Sequence, residues 1–348
     1  MKTNSSSKAV KAGAGYVIGN YLLKGITFLS APIFSRLLEP ADFGEFSTYI
    51  SYEAIIYIFV GLALHSSINN AKYKYEQKFN EYVSSIVMLV IISSLAWLGF
   101  ANIFYEQYKS LFGFDRLVVN VLIVHCLSSA LLQIYNSYIS LNYSYKSFLK
   151  ISSINAISNI VISIILILTV FTEQRSLGRI IGTVLPISLI GIYIIVYFFR
   201  KAKPVFGVGY LKFGVCYSLP IIPHGVSQVI LSTFDRIMIK DMVGSAEAGI
   251  YSFAFTIYTI FKVVVTSLEN VWKPWIYEKM NAKEYNSIRK TGTSYAFGMA
   301  LFTSLVIMVA PEMIKILGAK EYWGCTDCVV PVVLGGFFAF LYTLPATI

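Results

Sequence analysis

The chain has 348 residues, of which 56% are apolar and only 13% charged, and it carries a net charge of +10. Soluble domains carry about 25% charged residues, so a globule with a single anchor is excluded and a polytopic, all-α membrane protein is implied. The basic excess points to topology and to adhesion to membrane lipid; nucleic acid is not indicated as a partner, because no basic stripe with stacking aromatics lies outside the apolar runs.

Ten spans are predicted, at about 13–36, 46–68, 82–104, 117–140, 149–171, 177–199, 213–235, 248–272, 291–314 and 326–348. The first is too long for a signal peptide and lacks a small-residue cleavage site, so it reads as a retained span. It places Asn20, Lys24, Thr27, Ala31 and Ser35 at helical spacing. The second does the same with Glu53, Tyr57, Gly61 and His65. The fourth holds His125 and Cys126, both read as packing residues. A basic stretch from Arg200 to Lys212 reads as a linker, at 201–212, between a six-helix lobe at 1–200 and a second lobe at 213–348.

The seventh span carries His224, Gln228, Ser232 and Asp235, and the eighth Tyr251, Phe255, Tyr258, Lys262, Thr266 and Glu269. Steps of three and four put each set on one helix face, which should line an internal surface. Ser, Thr, Asn and Gln in such stripes also serve as glue between helices. Cys325-x-x-Cys328 stands at a helix entry, where a disulfide is one reading and zinc lacks a second ligand pair. The last run reaches Ile348, so further helices are expected beyond it.

Loop charges give the orientation. With the N-terminus in the cytoplasm, 17 of the 28 Lys and Arg fall on the inner side and nine on the outer, among them Arg36, Arg179 and Arg236. The two left over are Lys24 and Lys262. Each lies roughly 15 Å into its helix, near the bilayer midplane. A charge held there costs about 2.5–3.5 kcal/mol on insertion scales and usually faces a wet interior. Two such ammonium groups suit an anion such as a pyrophosphate. The bland alternative is an ion pair to Glu53 or Asp235.

A faint repeat runs through the chain. Phe34-Ser35-Arg36 matches Phe234-Asp235-Arg236, Lys24-Gly25 matches His224-Gly225, and Thr27 matches Ser227. Further on, Ala41-Asp42-Phe43-Gly44-Glu45-Phe46-Ser47 matches Ala246-Glu247-Ala248-Gly249-Ile250-Tyr251-Ser252. Six spans separate the copies, so the repeat is parallel, with a pseudo-two-fold axis along the membrane normal.

The run from Ala31-Pro32-Ile33-Phe34-Ser35-Arg36 through Leu37-Leu38-Glu39-Pro40 to Ala41-Asp42-Phe43-Gly44 resembles the opening of Wzx-type polysaccharide flippases. Asp235-Arg236-Ile237-Met238, Ala248-Gly249-Ile250-Tyr251-Ser252 and Trp272-Lys273-Pro274 resemble the second half of that family, within the multidrug/oligosaccharidyl-lipid/polysaccharide exporter superfamily. Members have twelve to fourteen helices in two six-helix lobes, so this chain departs in lacking the last ones. The resemblance implies transfer of an undecaprenyl-pyrophosphate-linked oligosaccharide across the bacterial cytoplasmic membrane by alternating access. In related lipid II flippases basic residues on the first and eighth helices bind the pyrophosphate; here those positions hold Lys24 and Lys262, which lack the planar fork of arginine.

On this reading Lys24, Lys262, His224, Asn20, Tyr57 and Tyr258 bind substrate, with Tyr251 also able to stack on sugars. Glu53, Asp235 and Glu269 are candidates for H⁺ or Na⁺ coupling. No other cofactor and no metal is expected. Partners are the lipid-linked oligosaccharide, membrane lipid and other polysaccharide assembly proteins. A drug/cation antiporter would want an acidic cavity. A membrane enzyme would want a large loop with clustered carboxylates or a phosphate loop, and the sequence has neither. A scaffold of polysaccharide assembly leaves the buried lysines without a purpose.

Overall fold

A computed structural model describes residues 2–346, which form thirteen α-helices and no strand. In chain order they are α1 (Lys2–Leu37), α2 (Pro40–Val60), α3 (Ile68–Tyr75), α4 (Phe79–Ile103), α5 (Tyr105–Phe112), α6 (Arg116–Ser140) and α7 (Tyr145–Thr169). Then come α8 (Arg175–Lys201), α9 (Val208–Ser218), α10 (Ile221–Met242), α11 (Ser245–Asn281), α12 (Tyr285–Leu317) and α13 (Thr326–Ala346). Among the described residues eight helical stretches are long and apolar enough to cross a membrane, or nine if the bent pair α9–α10 is one span. Backbone groups in hydrocarbon must be satisfied within the segment, which is why these runs are helices.

Two expected spans change. The second expected span, 46–68, is α2, which begins at Pro40 and is too polar to count among the eight or nine. It ends at Val60, because Gly61 lies against Ala130 and Leu62 and Ala63 take left-handed backbone, turning the chain into a short 3-10 turn at Leu64–Ser67. His65 is therefore part of that turn. The seventh span is broken at Leu219 and Pro220 with a bend of 41°, as expected where proline lacks an N–H and crowds the carbonyl four residues back. Residues 347 and 348 of the tenth expected span lie outside the described residues.

Two compact units make up the chain. One takes Met1–Ile26 and Glu45–Met242, the other Thr27–Gly44 and Val243–Ile348. The first is organised by two apolar clusters, one built on Leu64, Tyr82, Ile86, Leu131 and Phe198, the other on Tyr49, Leu122, Cys126 and Ile180. In it α9 is tied to the segment from 66 to 85. Tyr75 Oη donates to the Gly209 carbonyl (3.2 Å), Tyr210 Oη to Glu81 (3.3 Å) and Asn70 Nδ2 to Tyr217 Oη (2.6 Å), and the Val205 N–H donates to Ser85 Oγ (2.9 Å).

The second unit packs α11, α12 and α13 around Phe253, Phe261, Ile314 and Phe340. The segment from 27 to 44 is stapled to it. Ser35 Oγ donates to the Leu317 carbonyl (3.0 Å), Arg36 Nη2 to that of Ile316 (3.2 Å), and Tyr322 Oη to that of Leu38 (2.9 Å). Arg36 thus serves the last carbonyls of α12, where a cation is favoured.

Within this unit the two repeat copies meet. A Cβ on Gly44 would stand 1.8 Å from the Ser245 carbonyl oxygen and 2.8 Å from the Gly249 nitrogen. A Cβ on Gly249 would stand 1.9 Å from the Pro40 carbonyl oxygen and 3.0 Å from the Gly44 nitrogen. Only glycine lets the first turns of α2 and α11 approach this closely. The contact is reciprocal between matched positions, as a two-fold axis requires.

Candidate substrate and ion sites

In the first unit α1 has one face closed by glycines. A side chain at Gly15 would run into Tyr145, and one at Gly19 into Leu149, both of α7. Lys24 lies nine residues past Gly15, half a helical turn round, so the Asn20–Lys24–Thr27 stripe points the other way. Asn20 and Thr27 are exposed and Lys24 is half-buried. The Lys24 ammonium stands 6.0 Å from the centre of the Tyr21 ring.

In the second unit Lys262 is exposed on α11, on the side away from the buried Phe253, Ile257 and Phe261. Along its own face runs a ladder of rings, with Tyr251–Phe255 centroids 5.3 Å apart and Phe255–Tyr258 centroids 5.5 Å apart. Tyr258 also packs against Phe261 at 6.0 Å. Glu269 is half-buried two turns further along. Among the described residues neither the Lys24 nor the Lys262 ammonium lies within 4.0 Å of a carboxylate. The ion pairs to Glu53 or Asp235 that would have neutralised them are not made.

Both carboxylates have other partners. Ser129 Oγ of α6 donates to Glu53 Oε1 at 2.6 Å. One turn away the buried Tyr49 hydroxyl faces His125 Nδ1 at 3.3 Å, with the rings stacked, so His125 is a packing histidine with a satisfied nitrogen. Asp235 Oδ1 accepts from the Arg236 N–H at 2.9 Å and lies 3.6 Å from the Arg236 guanidinium. Tyr57 is half-buried beside Val226 and Val229. His224 is exposed in the first turn of α10, just past the break at Pro220. The hydroxyls of the polar stripes bond their own helices: Ser227 to the Pro223 carbonyl, Ser232 to that of Val229, Thr266 to that of Lys262.

One half-buried cation has no place in the sequence reading. Arg179 counts there as an outer-loop charge, yet it sits one turn inside α8. Its guanidinium donates to Asn159 Oδ1 (2.5 Å) and Ser163 Oγ (2.7 Å) of α7 and lies 4.5 Å over the Phe46 ring. The signal for it was present: Asn155, Asn159 and Ser163 recur every fourth residue in an otherwise apolar helix. Among the described residues no group of three or more His, Cys, Asp or Glu could hold a metal. All four cysteines are free thiols, so the Cys325–Cys328 disulfide is not formed.

These features define a multi-pass helical membrane protein. The structure is similar to the lipid II flippase MurJ in an inward closed conformation (TM-score 0.69, 15% identity, 95% of this chain and 74% of that one). It is also similar to an inward-facing multidrug resistance MATE transporter of the MOP superfamily (TM-score 0.64, 15% identity, 92% and 79%). The chain belongs to the polysaccharide biosynthesis protein family, whose model matches residues 10–280. Relatives in Haemophilus influenzae include an uncharacterized membrane protein, 25% identical over 288 residues. Protein 1 of the Lsg locus is 22% identical over 330 residues. The matches span 66% of the first relative and 78% of the second.

Proposed function

We propose that the protein carries undecaprenyl-pyrophosphate-linked oligosaccharide repeat units from the inner to the outer leaflet of the bacterial cytoplasmic membrane, for surface polysaccharide assembly. Alternating access moves them, and the N-terminus is cytoplasmic, as the loop charges favour. One observation carries the reading: two ammonium groups within spans, each without a carboxylate partner. Uncompensated cations in apolar helices are unfavourable unless something anionic visits them. Lys24 and Lys262 bind the pyrophosphate, and His224 and Asn20 assist. The ladder of Tyr251, Phe255 and Tyr258, with Tyr57, offers faces for sugar rings. Family membership and the shared fold of MurJ, itself a lipid II flippase, support the substrate class. Glu53, with its Ser129 donor, is the foremost of the carboxylates proposed to bind H⁺ or Na⁺, ahead of Asp235 and Glu269; such an ion biases the cycle only through unequal affinity for two states.

The test replaces both Lys24 and Lys262 by Ala in cells that depend on this protein for a surface polysaccharide. Expected is loss of the polymer, accumulation of the lipid-linked unit on the inner leaflet, and an unchanged protein level in the membrane. Normal polymer in the double variant overturns the assignment. The MATE likeness favours one rival, a drug/cation antiporter; extrusion of cationic dyes by the wild type, unaffected by the lysine changes, would establish it instead.

A further inference from the structure

The first unit contains a cavity of about 390 Å³ that no part of the transport reading uses. Its lining is wholly apolar and comes from four helices, with Phe59 of α2, Trp97 and Ala101 of α4, Phe112 of α5, and Val119 and Ile123 of α6. Phe59 and Phe100 at its wall are themselves exposed, so the space opens sideways rather than being sealed. The helices that form it include two of the most apolar spans of the chain. Hydrocarbon is what surrounds such an opening. An open volume of this size, lined by nothing that can hydrogen-bond, stays free of water and takes an apolar chain instead.

Two cations stand at the loop end of the cavity, Lys240 with the carboxylates of Glu45 and Asp241 in its surroundings. Val119 lines it, and Arg116 stands one turn earlier on α6, exposed, its guanidinium 4.7 Å over the Tyr105 ring. Phe112 lines it too, and two residues on, Phe114 carries the Lys240 ammonium 4.3 Å above its ring. Both cations thus stand beside α5 and the turn that follows it, and both charged heads lie over aromatic rings, a cation–π setting common where charges meet the aromatic belt of a membrane interface. Arginine in this setting pairs with a phosphate oxygen. An apolar slot running inward from two interfacial cations matches the two ends of one molecule.

We infer that this cavity is a binding site for an anionic phospholipid of the bilayer, with one acyl chain between α2, α4 and α6 and the phosphate at Arg116 and Lys240. The site is independent of Lys24 and Lys262, so it stands or falls apart from the transport reading.

Trp97 in the wall provides the readout. The full-length protein, with Trp272, Trp275 and Trp323 changed to Phe, is reconstituted in phosphatidylcholine vesicles. Phosphatidylglycerol brominated on its acyl chains is then added in increasing mole fraction. Expected is quenching of Trp97 that saturates at a low mole fraction, and that needs at least fivefold more lipid in the Arg116→Gln, Lys240→Gln double variant. Ala101→Phe, which fills the cavity, should abolish the saturable phase while circular dichroism shows an intact helical fold. Quenching that rises only in proportion to mole fraction, or that is equal for brominated phosphatidylcholine, overturns the proposal. If the triple Trp→Phe protein does not reconstitute, native mass spectrometry of the wild type against Ala101→Phe decides. Retention of one anionic phospholipid by the wild type alone supports the site, and equal retention by both removes it.

Discussion

Arg179 and Lys262 are both cations within apolar helices, and their surroundings are opposites. Arg179 is clasped by Asn159 and Ser163 and lies on the face of Phe46. Lys262 projects from α11 with no carboxylate in reach, one turn beyond a ladder of aromatic rings. Lys24 resembles Lys262, with one tyrosine ring 6.0 Å from its ammonium. The difference separates a charge that ties helices together from one that, on the proposed function, is held ready for a visitor. Hydropathy alone treats them alike.

Four experiments break or sharpen that contrast. Charge reversal, Lys262→Glu, should have the largest effect: polymer assembly falls by about 100-fold or more, as expected when an attractive charge contact with the substrate, of about 2–5 kcal/mol, is replaced by repulsion. The thermal midpoint of the purified protein should not move. Arg179→Leu should do the reverse. It strands the Asn159 and Ser163 acceptors, at about 1–3 kcal/mol each, so the midpoint and the membrane level drop, and activity per folded molecule is retained. Full stability with lost transport in Arg179→Leu would place that residue with the lysines instead. Ser129→Ala removes the donor to the Glu53 carboxylate. A destabilisation of about 1.5–3 kcal/mol is expected for a hydrogen bond to a charged group, read as a lower midpoint in the purified variant. Smallest is Lys24→Arg, which keeps the charge and adds a planar fork; transport within about threefold of wild type is expected, against severe loss in Lys24→Gln.

Local patterns in the sequence carry much of this. Lys24 and Lys262 stand out because nothing else charged lies near them in their runs. The stripes of α1 and α11 follow from spacing alone, and the opposed faces of α11, with Phe253, Ile257 and Phe261 buried behind the ring ladder, follow the helical period. Arg179 escapes because it stands at the edge of its run, four residues from Arg175, where loop and span share a composition. Its role depends on a polar stripe in another helix. The break at Gly61–Ala63 is hidden by its own hydropathy: Leu62, Ala63 and Leu64 look like more span, and only the close approach to Ala130 forces the turn. Pro220 is visible, but the apolar runs on both sides of it join into one expected helix. The disulfide considered at Cys325 and Cys328 fails for a different reason, since three residues of spacing permit a bridge without requiring one.

The glycine pair at the start of α2 and α11 has a consequence for how such a chain can diverge. Gly44 and Gly249 are counterparts in the duplication, and each is the obstacle that forbids a side chain on the other. Elsewhere the two copies are free to drift, as Lys24 against His224 and Ser35 against Asp235 illustrate. At this crossing they police one another. A bulky replacement in either copy is met by the backbone of its twin, so the ancestral symmetry is kept there by collision.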